Sequence, residues 1–268
     1  MFQITILFLY IIAGVSLAMS RLPPFSRHIK ALLAIALLAG VAGLAWHGLV
    51  LRNMILVPDG FTLSLGNTAS FIGLLLSLTA LSISVEQTLR GLASGLLVLA
   101  ALAAAFTGWF AAPPADTAMT WQIEVHILIS LLAYGLLTVG AIVAVYAIVQ
   151  DRRLHAGKLA PVNQLFAPLE TNEKLLYGIA AVGFAALLLA VFSGFVFVDD
   201  LFAQHLVHKT VLSLLALVLF GILLCGRQFA GWRGRRAVYL YLWGFAILGL
   251  AYFGNRYILE QVLGRTWT

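Results

Sequence analysis

The sequence predicts an all-α, polytopic membrane protein. The expected architecture is a bundle of eight transmembrane helices with N- and C-termini on the outer (periplasmic) side, forming a single integral membrane domain over 1–268. Three observations carry this. Of 268 residues, 62% are hydrophobic and only 10% charged, whereas a soluble domain carries roughly 25% charged residues. The mean hydropathy is +1.03. Apolar runs of about 20 residues, the length that crosses a bilayer, recur from one end of the chain to the other. The short alternating segments of a membrane barrel do not occur.

The predicted spans are 2–19, 31–52, 67–84, 92–110, 124–149, 175–198, 207–225 and 237–258. The first begins MFQIT, with no basic residue, and Arg21, Arg27 and Lys30 follow it. That is the reverse of a secretory signal, so the run reads as a retained helix with its N-terminus outside. After the second span, NMILVPDGFTLSLG (53–66) contains a Pro58-Asp59-Gly60 turn and is expected to lie over the outer face. The fourth span opens on Gly91 and Gly95, a G-x-x-x-G pair that favours close helix packing. The inner segment from about 150 to 174 is interrupted by Pro161 and Pro168 and suits a membrane surface. Before the last span, GWRGRR (231–236) reads as a turn at Gly231 and Gly234 with Trp232 as interfacial anchor.

Charge fixes the expected orientation. Arg21, Arg27, Lys30, Arg90, Arg152, Arg153, Lys158, Lys174, Arg227, Arg233, Arg235 and Arg236 fall on the inner side, leaving Arg52, Lys209, Arg256 and Arg265 outside. This bias is the positive-inside pattern. The net charge of +6 therefore reflects topology and contact with the lipid bilayer, with no nucleic-acid partner implied. Cys225 is the only cysteine, which excludes an internal disulfide, a C-x-x-C redox pair and covalent C-x-x-C-H haem attachment.

Candidate chemistry rests on histidine. His28 and His155 read as solvated loop residues, while His47, His126, His205 and His208 are expected at the outer face. Imidazole is less costly in a span than a carboxylate and ligates haem iron or zinc. In WQIEVHILISLLAYGLL, His126, Ser130, Tyr134 and Thr138 recur every fourth residue and drift through an arc of about 120°. That polar stripe marks His126 as a candidate ligand, with His47 as a second. In VDDLFAQHLVHK, His205 and His208 share a helix face below Asp199 and Asp200, a weaker candidate for a divalent metal. No P-loop, G-x-S-x-G, H-E-x-x-H or dinucleotide fingerprint is present, so no catalytic residue is assigned.

GWRGRRAVYLYLWGFAILGLAYFG (231–254), EVHILISLLAYGLL (124–137), HKTVLSLLA (208–216) and PLETNEKLLYGIAAVGF (168–184) together resemble the cytochrome c assembly family of CcsA- and HemX-like membrane proteins, nearest its short YpjD-type branch. The resemblance implies haem as cofactor, held at the outer face of a bacterial cytoplasmic (inner) membrane. His126 and His47 would be its ligands, Tyr134 and Ser130 would line the pocket, and His205 or His208 would be alternative ligands. Implied partners are other cytochrome c assembly proteins or an apocytochrome. The loop at 198–207 has no tryptophan, and 255–268 has no histidine. The full synthetase ligand set is therefore absent from the resemblance. A divalent-cation or small-solute permease and a scaffold without haem are the alternative readings.

Overall fold

In a computed structural model, the described residues are 2–57, 60–61, 64–109, 120–155, 167–197 and 207–254. Eight α-helices account for most of them: α1 Phe2–Met19, α2 Ile29–Ile55, α3 Leu65–Ile83, α4 Arg90–Ala104, α5 Trp121–His155, α6 Leu169–Phe197, α7 Val207–Ala230 and α8 Arg235–Gly249. The first seven meet the length and hydropathy of a membrane crossing, α4 together with the 3-10 turn Gln87–Leu89 that leads into it. Helix α8, like α4, has 15 residues, and a π-helical turn, Leu250–Gly254, continues it. At about 1.5 Å per residue, Arg235 to Gly254 reaches about 30 Å. The rest of the eighth predicted span, 255–258, lies outside the described residues.

The helices differ from the predicted spans mainly at their ends. Helix α5 continues to His155, six residues past the predicted 149, because QDRRLH contains no proline or glycine to stop it. Between α2 and α3, Leu56–Val57 (β1) pairs antiparallel with Gly60–Phe61 (β2); Pro58 and Asp59 of the expected Pro58-Asp59-Gly60 turn lie outside the described residues. Ser64 caps α3 by accepting from Asn67 N at 3.0 Å.

The chain divides into two compact units, one of 1–112 with 149–172, the other of 113–148 with 173–268. In the first unit α1 packs on α2 and α4, and α3 packs on α2 and α4, so the four helices close a ring. Small residues set the spacing. A Cβ at Gly73 would meet Ala103 Cβ at 2.8 Å, and one at Gly43 would meet the Tyr10 ring at 2.9 Å. Gly95, by contrast, is exposed and has nothing within 4 Å of its Cβ direction. The expected G-x-x-x-G contact is therefore not made there, and α4 is joined through Gly14 and Gly73 on its neighbours.

The second unit closes in the same way. Tyr241 of α8 donates to Leu137 O of α5 at 3.0 Å and stacks edge-on against Phe220 of α7. Gly221 of α7 approaches Phe184 of α6. Gly231 and Gly234 both hold positive φ, 61° and 63°, a region that favours glycine. They bend the chain so that Trp232 lies over Gly226. Tyr177 donates to Trp232 O at 2.7 Å, and Arg227 stacks on the Tyr177 ring. GWRGRR is thus a structural turn, as its glycines predicted.

Candidate functional site

His126 sits one turn into α5 and is half-buried. Its Nδ1 lies 2.9 Å from Ser193 Oγ on α6. Ser193 in turn donates to Ala190 O, one turn earlier in its own helix, at 2.9 Å. A hydroxyl has one proton. With that proton given to the carbonyl, Ser193 accepts from the imidazole in the tautomer that carries hydrogen on Nδ1 and keeps the lone pair on Nε2. This is the arrangement in which histidine ligates a metal through one nitrogen while a neighbour fixes the other. Gly194 makes room for it: a Cβ there would stand 3.2 Å from His126 Cε1. About one turn nearer the start of α5, on one side of that bond, the Trp121 and Phe197 rings meet with centroids 6.1 Å apart and planes tilted by 59°.

The rest of the stripe has other partners. Tyr134 is buried and donates to Leu248 O at 3.2 Å, with Tyr252 5.1 Å away ring to ring. Its hydroxyl ties α5 to α8. Thr138 donates back to Tyr134 O at 2.7 Å, a local bond within the helix. Ser130, one turn before Tyr134, is half-buried.

His47, in the first unit, is fully buried and bonded at both ring nitrogens. Nδ1 is 3.1 Å from Tyr10 Oη and Nε2 is 2.7 Å from Ser70 Oγ. Tyr10 donates to Ser77 at 2.9 Å and Ser77 to Leu74 O at 2.8 Å. On the other side Ser70 meets Thr107 at 2.6 Å, and Thr107 donates to Ala104 O at 2.6 Å. Gln3 donates to Thr107 O. The network joins α1, α2, α3 and the turn after α4. It runs between two backbone carbonyls that only accept, so the hydroxyls and a neutral imidazole bring one proton fewer than there are links to fill.

Of the remaining candidates, His208 is exposed in the first turn of α7, and Asp199, Asp200 and His205 lie outside the described residues. Among the described residues no three His, Cys, Asp or Glu side chains gather as a metal site. Ser193, Tyr10, Ser70 and Thr107 escaped the sequence reading. For Ser193, Tyr10 and Thr107 the available signal was a lone hydroxyl in an apolar run, for Ser193 next to glycine in VFSGFVF, whereas Ser70 stands in the polar helix start GNTAS.

Two closed rings of apolar helices define a multi-pass membrane protein, and in one of them the half-buried His126 imidazole is held by Ser193. The Cytochrome C assembly protein family profile matches residues 26–263, and the chain belongs to that family. It is 33% identical over 233 residues to "Inner membrane protein YpjD" of Escherichia coli K12, covering 85% of this chain and 87% of that protein. The protein of the same name from Escherichia coli O157:H7 is similar to the same extent. A 28.8 kDa protein in the nifR3-like 5' region of Azospirillum brasilense is 29% identical over 144 residues, 53% of each chain. No solved structure matches the chain.

Proposed function

We propose that this is a haem-handling protein of cytochrome c-type biogenesis in a bacterial inner membrane, with His126 as the residue that holds haem at the outer face. The observation that carries the reading is the Ser193–Ala190 relay, which leaves the lone pair on His126 Nε2. Membership of the cytochrome c assembly family supplies the ligand class. The donor chemistry fits: a neutral imidazole with its other nitrogen fixed suits haem iron, and the nearby Trp121 and Phe197 rings suit a porphyrin face. Haem is cargo in this reading, a redox-active group to be passed to an apocytochrome or another assembly protein. Ser193 orients the ligand, Gly194 gives it space, and Tyr134 holds α8 against the helix that carries it.

His47 is assigned to structure. Both its nitrogens are bonded, and ligation through Nε2 requires Ser70 to leave. A permease reading drew on Asp199, Asp200, His205 and His208, and no observation favours it.

The test is an absorption spectrum of the detergent-purified protein, oxidised and reduced, beside His126→Ala and His47→Gln. A Soret band lost in His126→Ala and kept in His47→Gln is expected, and its spin state reports whether a second ligand, such as His205 or His208, completes the site. A protein that stays colourless with added haem, or a spectrum indifferent to His126, sinks the proposal and leaves the scaffold reading.

A further inference from the structure

We infer that the first unit carries a binding site for one anionic phospholipid at the end where α1 and α5 finish and α6 begins. A cavity of about 440 Å³ lies there, lined by Arg21, Thr88, Gln150, Arg153, Leu154 and Pro168, with Ala167 and Leu169 completing its wall. Its lining is mixed in chemistry: two guanidinium groups and a carboxamide supply donors, and the leucines, alanine and proline supply apolar surface. A soluble anion has no use for the apolar surface, whereas a phospholipid brings a phosphate and a glycerol–acyl junction together.

The charge of this end fits that occupant. Arg21, Arg27, Lys30, Arg90, Arg152 and Arg153 gather at the helix ends against Glu86, Asp151 and Glu170. Two of those carboxylates are engaged locally, Glu86 by the Thr88 hydroxyl at 3.1 Å and Asp151 by His155 at 3.4 Å. Each guanidinium has five N–H donors in a planar fork, so Arg21 and Arg153 can take phosphate oxygens in addition to their protein contacts. Gln150 stiffens the wall: it donates to Ala167 O and accepts from Asn172 at 2.6 Å, fixing the end of α5 to the start of α6. Basic pockets between membrane helices at head-group level are where anionic lipids are held.

The experiment is native mass spectrometry of the full chain released from detergent after incubation with equal phosphatidylglycerol and phosphatidylcholine. The wild type is expected to retain phosphatidylglycerol with a preference of about ten-fold, and Arg21→Gln/Arg153→Gln to retain both lipids equally. Arg27→Gln/Arg236→Gln removes the same charge from exposed positions off the cavity and is expected to keep the preference. If the glutamine pair fails to fold, Arg21→Lys/Arg153→Lys keeps charge but loses the fork, and a reduced preference is expected. Inorganic phosphate at millimolar concentration is expected to displace nothing. Displacement by phosphate alone, parity in the wild type, or an unchanged preference in both Arg21/Arg153 variants overturns the site.

Discussion

At the scale of residues, the destination of one proton decides what His126 can do. With its hydrogen donated to Ala190 O, Ser193 accepts from Nδ1. Ser193→Ala removes that acceptor, so the ring loses its fixed tautomer and orientation while the ligand nitrogen survives. Partners of this kind are worth about 10–100-fold in affinity. Haem titration of Ser193→Ala, followed at the Soret band, should therefore show weaker binding by that factor with the spectrum's shape retained. Affinity equal to the wild type would show that Ser193 plays no part. His126 was legible in the sequence because an imidazole at the mouth of an apolar run is costly and conspicuous. Ser193 was not, because nothing in VFSGFVF says which neighbouring helix its hydroxyl meets. Tyr134 was legible as polar but not in its role, since the Leu248 carbonyl it holds belongs to a helix 114 residues away.

At the scale of elements, the His47 network governs how the first four helices are joined. Tyr10→Phe keeps the ring that packs against Gly43 and deletes two links. The remaining chain, from His47 Nε2–H through Ser70 and Thr107 to Ala104 O, then has a proton for every link. The loss should therefore be small, about 1 kcal/mol. His47→Ala breaks both arms and leaves a hole at a fully buried site, which should cost about 2–5 kcal/mol. Denaturant or thermal unfolding in mild detergent measures both, and the order is the test: a Tyr10→Phe loss as large as that of His47→Ala would contradict the proton count. Helix existence was legible because a bilayer-length apolar run announces itself without partners. Helix contacts were not. G-x-x-x-G names a pattern on one helix, and Gly95 shows that the pattern does not say which way the face turns.

At the scale of the whole molecule, orientation is the property on which the haem reading depends, because haem at the outer face requires the start of α5 to be outside. The sequence argues for this through the basic residues gathered between α1 and α2 and between α7 and α8. A cysteine scan tests it without disturbing that charge. Cys225→Ser gives a cysteine-free chain, and exposed uncharged positions then report each side: Ser26 and Gln228 at the basic ends, Asn53 and Thr120 at the opposite ones. In spheroplasts, a membrane-impermeant maleimide should label Asn53→Cys and Thr120→Cys at once, and Ser26→Cys and Gln228→Cys only after lysis. The reverse pattern would put His126 on the cytoplasmic side and remove haem handling at the outer face, even if His126 still bound haem in detergent. Labelling at Asn53 without labelling at Thr120 would instead mean an odd number of crossings between α3 and the start of α5, against the two that α3 and α4 provide.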